Sequence, residues 1–93
     1  MLEQINIIER YDETPKNREQ MSLLLEGMRS VLNELEKEES ITVDDEYTLC
    51  EWDYVLEEIY KNDRYLVDNN ALFTAIGLCH VLRKRSAFEG MMS

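Results

Sequence analysis

Residues 21–35, Met-Ser-Leu-Leu-Leu-Glu-Gly-Met-Arg-Ser-Val-Leu-Asn-Glu-Leu, decide the fold class. Wound at about 100° per residue, Met21, Leu24, Leu25, Met28, Val31, Leu32 and Leu35 fall within an arc of roughly 120°, the width of a core-facing helical stripe. Upstream, Thr14 suits an N-cap and Pro15 the first helical position, where a missing N–H costs nothing. The spacing therefore predicts a helix from Pro15 to about Glu39. Gly27 stands beside the stripe, in a helix interior where it costs about 1 kcal/mol relative to Ala. Close approach of another helix is the expected reason, and Gly77 further on invites the same explanation.

Helical spacing continues on both sides of this segment. A short helix is expected over Leu2 to Tyr11, with Leu2, Ile5 and Ile8 on one side and Ile7 and Tyr11 on the other. Ser40-Ile41-Thr42-Val43 interrupts the pattern, and Thr42 with Asp45 has the form of a capping box. A third helix should start near Asp44, its acidic first turn matching the positive end of the helix dipole. It should reach about Tyr60 and close at Asn62-Asp63, with Leu49, Trp52, Val55, Leu56 and Ile59 gathered on its inner side. Asp68-Asn69-Asn70 is a cap signal before a fourth helix, about Asn70 to Arg85. Ala71, Leu72, Ala75, Ile76, Leu78, Cys79 and Leu82 form its broad apolar face, and Phe73 and Val81 lie outside it. Arg83-Lys84-Arg85 would then sit in its last turn, at the negative dipole end, and residues 86–93 would form a flexible tail. With 3 Gly and 1 Pro among 93 residues, the expectation is an all-α fold: one domain, residues 1–93, built as a small antiparallel bundle of about four helices, the first one short.

The net charge of −10 is unevenly placed. Residues 34–58 carry eleven acids and one base, while residues 59–93 carry three acids and five bases. Direct binding to DNA or RNA is not expected of such a chain, because affinity for phosphates comes from Lys and Arg displacing counterions. An anionic membrane surface is disfavoured for the same reason, and no apolar run reaches the roughly 18 residues of a membrane span. The N-terminus lacks the basic-then-apolar order of a secretory signal, so a cytoplasmic protein is expected. Its two cysteines, Cys50 and Cys79, are expected to be reduced and structural.

Catalytic and metal sites lack the necessary groups. The glycines stand alone, with no phosphate loop, and no Ser/His/Asp or Cys/His spacing suggests a nucleophile and base. Glu36 and Glu39 form one E-x-x-E pair of the kind that all-α nucleotide pyrophosphatases use for Mg²⁺. No E-x-x-D follows in the third helix, where Tyr54, Tyr60 and Lys61 stand three residues after Glu51, Glu57 and Glu58. Neither enzymatic activity, a metal nor a cofactor is expected.

Two surface features remain. On the outer side of the third helix, Tyr47, Cys50 and Tyr54 stand among Glu46, Glu51, Glu57 and Glu58. Read blandly, this is a solvated acidic face. Read functionally, it is a docking face for a basic partner, with aromatic anchors supplying affinity and carboxylates supplying on-rate. On the fourth helix, the basic cluster Arg83-Lys84-Arg85, with Arg64 and His80, is either an ordinary helix end or a receptor for an anionic ligand such as a nucleotide. In the second case the broad apolar girth of that helix would pack against a copy of itself.

Rows of carboxylates also imitate phosphates, which makes a nucleic-acid-binding protein the natural target of the acidic face. In size, charge and helical class the chain resembles the small acidic helical inhibitors that phages and mobile elements direct against nucleic-acid enzymes. That resemblance implies a non-enzymatic protein that occupies, and thereby inhibits, a basic surface. The alternative is a homo-oligomer that sequesters a small anionic ligand.

Overall fold

The computed structural model describes the backbone of residues 7–92 and the side chains of residues 7–86. Four α-helices form within it: α1 (Ile7–Glu13), α2 (Arg18–Lys37), α3 (Val43–Glu58) and α4 (Asn69–Met92). A π-helical turn, Ile59–Asp63, and a 3-10 turn, Arg64–Leu66, join α3 to α4. Among the described residues there is no strand, so the all-α expectation holds.

The helices α2, α3 and α4 alternate in direction. Tyr60 meets Phe73 near one end of the α3–α4 pair, and Asp53 meets His80 and Arg83 further along, which makes the pair antiparallel. Arg85 reaches the carbonyls at the end of α2, while Arg18 and Ser22 at its start share a groove with Asn69 and Asn70, so α2 and α4 run parallel. The packed pairs are α3 with α4, α2 with α4 and α1 with α3.

The core is the one expected from the apolar stripes. Met21, Leu24, Leu25, Met28, Leu32 and Leu35 of α2 are buried, and Val31 packs at the margin. They join Leu49, Trp52, Val55, Leu56 and Ile59 with Leu72, Ala75, Cys79 and Leu82 in a single cluster. Trp52 is 5% exposed, its indole N–H without a partner among the described residues.

Several boundaries differ from the sequence expectation. Leu2 and Ile5 lie outside the described residues, and α1 continues past Tyr11 to Glu13, burying Ile7 and Tyr11. Asn17, not Thr14, caps α2: its side-chain oxygen accepts from the Gln20 N–H at 2.9 Å. The Thr14 hydroxyl is occupied in closing α1, donating to the Arg10 carbonyl at 2.6 Å, and Asn is the stronger cap. The Thr42 capping box forms as read, with the Asp45 N–H donating to the Thr42 hydroxyl at 3.1 Å and the Thr42 N–H to the Asp45 carboxylate at 3.4 Å.

Asn62-Asp63 does not end the helix as expected. The chain widens into the π turn, which carries Asp63 inside, where it accepts a hydrogen bond from the Tyr11 hydroxyl. The Asp68 carboxylate accepts from the Ala71 N–H at 3.1 Å at the start of α4. That helix continues beyond Arg85 to Met92, so Arg83-Lys84-Arg85 do not stand in its last turn.

Neither glycine marks a helix crossing. A Cβ placed on Gly27 or Gly77 would meet nothing within 4 Å. The close-approach explanation is therefore withdrawn, and its consequence for stability reverses. Gly27→Ala should raise the free energy of unfolding by up to about 1 kcal/mol, since Ala removes backbone entropy from the unfolded chain and meets no neighbour. Urea denaturation checks this; a lower midpoint would reveal a constraint absent from the packing.

Candidate functional site

The phase of α3 is set at its start by the Thr42 cap and along its length by Leu49, Trp52, Val55, Leu56 and Ile59, all turned inward. The opposite arc must face outward, and it carries every residue of the expected acidic face. Tyr47 is 71% exposed and Tyr54 is 54% exposed. Two helical turns, about 10.5 Å, separate them. Glu46, Cys50 and Glu57 are exposed around them, while Glu51 and Glu58 are half-buried at the edge of the arc.

Few cations neutralise this face. Glu57 pairs with Lys61 at 3.7 Å, both well exposed, and Glu58 accepts from the Asn62 amide at 2.8 Å. Such an exposed i,i+4 pair contributes only a few tenths of a kcal/mol, roughly 0.3–0.5. Glu46 and Glu51 form no salt bridge among the described residues. Their charge is open to an incoming partner.

The residues of the second candidate site do not gather at one place. His80 Nε2 lies 3.2 Å from Asp53 Oδ1, and Arg83 Nη1 lies 2.5 Å from Asp53 Oδ2. Arg85 donates to the carbonyls of Glu36 and Glu38, satisfying two acceptors left open by the end of α2. Arg64 stacks over the Tyr60 ring, 4.9 Å from its centroid, and Tyr60 packs against Phe73. Arg64 thus stands at the Phe73 end of α4, about 15 Å of helix from Arg83.

The structure does unite parts of the two candidate sites. Glu46 and Cys50 from α3 line an open groove of about 310 Å³ with His80, Arg83 and Lys84 from α4. One edge of the acidic face is therefore a basic border. Asp53, which organises that border, was not singled out in the sequence, because only the packing of α4 distinguishes it from the other carboxylates of α3.

Cys50, His80 and Asp53 come near one another, an order of groups that elsewhere makes a nucleophile. Here His80 directs Nε2 to Asp53, and Cys50 forms no hydrogen bond with His80 among the described residues. A thiol needs that bond for activation by a base. Both cysteines are free; Cys50 is exposed and Cys79 buried. The Cys79 thiol donates to the Leu49 carbonyl at 3.4 Å, and burial pushes its pKa up to about 12, which keeps it protonated and unreactive.

Among the described residues no group of three or more His, Cys, Asp or Glu side chains is placed to hold a metal ion. Among them, too, no helix is long and apolar enough to cross a membrane. No protein-family model, curated protein or solved structure matches the chain.

Proposed function

We propose that this protein works by binding rather than by catalysis, docking the outer face of α3 on a basic protein surface. The favoured partner is a protein that grips nucleic acid, whose phosphate-binding surface the carboxylates would occupy and thereby inhibit. The supporting observation is the exposure of Tyr47 and Tyr54 between carboxylates that have few cations of their own. Aromatic side chains give large contact area for little lost rotamer freedom, and unneutralised acids steer a cationic surface into register. The small size, acidity and helical class shared with phage and mobile-element inhibitors agree with this reading.

The test is capture from lysate on the immobilised protein, at about 0.15 M and about 0.5 M salt, with duplex DNA as competitor. Nucleic-acid-handling proteins should be retained, released by salt and displaced by DNA. Tyr47→Ala and Tyr54→Ala should each weaken binding by at least about 1 kcal/mol, and together by roughly thirtyfold. Arg18→Glu, at the far start of α2, is the control that should change nothing. Arg83 and Arg85 are poor controls because they hold Asp53 and the end of α2. Retention that ignores both tyrosines would refute the proposal.

A further inference from the structure

The α3–α4 pair has an outward side, turned away from α2, on which apolar groups are concentrated. Of the eight large hydrophobic side chains exposed on the described surface, five belong to it: Tyr47, Tyr54, Tyr60, Phe73 and Val81. Phe73 and Val81 are 50% and 58% exposed on α4, and exposed Gly77 lies between them with open space where a side chain would stand. Of these side chains, Tyr60 and Phe73 touch, their ring centroids 5.8 Å apart, and exposed apolar groups gathered on one side of a small domain mark an interaction surface. The charges on this side are divided by helix. Exposed Glu46 and Glu57 stand on α3 without a cation from that helix, whereas α4 offers exposed Lys84, its Arg83 already engaged by Asp53.

We propose that this side binds a second copy of the chain through a two-fold axis parallel to the helices. That operation lays α3 of one copy over α4 of the other, antiparallel, and it preserves height along the axis. Lys84 is level with Glu46 and Cys50, since all three line one groove, so Lys84 of the second copy arrives over the acidic start of α3. Tyr54 is level with the part of α4 next to His80, because its neighbour Asp53 bonds His80. It therefore arrives at the gap beside Gly77 of the second copy. The alternative of α3 on α3 would oppose the outward carboxylates of one copy, Glu46 among them, to the same residues of the other, which charge repulsion disfavours. A symmetric contact of this kind is self-complementary and closes at the dimer.

The net charge of −10 on each copy opposes association at low ionic strength. Near 0.15 M salt the Debye length is about 8 Å, which screens the distant like charges more than the touching opposite ones. The dimer stands independently of the proposed docking function. If both hold, the dimer covers Tyr47 and Tyr54, and a basic partner must compete with the second copy for them.

Sedimentation equilibrium of the purified chain at about 0.15 M salt, from micromolar to millimolar concentration, reads the outcome directly. A monomer–dimer equilibrium is expected. Gly77→Glu should weaken it at least about tenfold, because it fills the gap and opposes the α3 carboxylates, while the open space around Gly77 leaves the monomer folded by circular dichroism. Lys84→Glu, an exposed position, should weaken it in the same direction. A chain monomeric throughout the range overturns the proposal, and so does a dimer that neither substitution weakens. Lysate capture by the Gly77→Glu monomer separates the two ideas, since its Tyr47 and Tyr54 remain intact.

Discussion

Tyr11→Phe should lower the free energy of unfolding by about 2 kcal/mol, although it removes a single oxygen. The Tyr11 hydroxyl donates to the carboxylate of Asp63, a residue only 7% exposed, and no other donor to that carboxylate is present among the described residues. Hydrogen bonds to charged groups are the stronger class, and a buried carboxylate stripped of its donor bears the full desolvation penalty. Phe retains the ring and with it the stacking of Lys16, whose Nζ lies 3.4 Å from the ring centroid. The measured difference therefore isolates the hydroxyl. A loss below about 0.5 kcal/mol would mean that water replaces the tyrosine without strain.

The same pair makes stability sensitive to alkali. Burial, and then the hydrogen bond to Asp63, raise the Tyr11 pKa well above its ordinary 10.0. A group whose folded value is raised contributes stability that is complete below its unfolded pKa and is lost as the pH climbs through the folded value. Urea midpoints should therefore fall more steeply for the parent than for Tyr11→Phe from about pH 10 upward. The Cys79 thiol, raised from 9.0 to about 12, loses stability in the same direction in both proteins and cancels in the comparison. Parallel curves would show that neither burial nor Asp63 perturbs the tyrosine hydroxyl.

Leu56→Ala should be the more damaging core substitution, at about 2–5 kcal/mol. Leu56 is completely buried in α3, on the side away from the acidic face, within the cluster shared by α2 and α4. Domains of this size have total stabilities of about 5–15 kcal/mol, so the variant should be marginal at best. Thermal melts followed at 222 nm would show it as a large fall in midpoint. A drop equivalent to less than about 1 kcal/mol would mean that the cavity collapses, and that the core is more plastic than its burial implies.

What could be read from the sequence was what neighbours in the chain decide for themselves. The inward faces of α2 and α3 follow from helical spacing, and the Thr42–Asp45 box follows from a pattern three residues long. The outward position of Tyr47, Cys50 and Tyr54 came with the phase of Leu49 and Leu56. Features joined across the chain were hidden. Asp53 engages residues about 30 positions away, and the partners of Arg83 and Arg85 lie on other helices. Basic residues expected to answer the dipole of α4 instead hold α3 and the end of α2. The glycines misled for a related reason: composition reveals the cost of a mid-helix glycine, while its compensation, or the lack of one, depends on what packs alongside. At the start of α2 the competition was local, yet Thr14 had two possible uses and closed α1.

The Tyr11–Asp63 contact spans 52 residues, and this matters while the chain is being made. At synthesis rates of about 5–20 residues per second, Tyr11 is polymerised roughly 3–10 s before the carboxylate that will receive its hydroxyl exists. A lone helical segment forms and melts within about a microsecond. During translation, α1 must therefore sample millions of conformations with Ile7 and Tyr11 uncovered, and it can settle only after the turn following α3 has emerged. α1 thus waits for α3 and the turn after it, while α2 and α3 wait longer still for α4, and until then the nascent chain presents apolar side chains to chaperones.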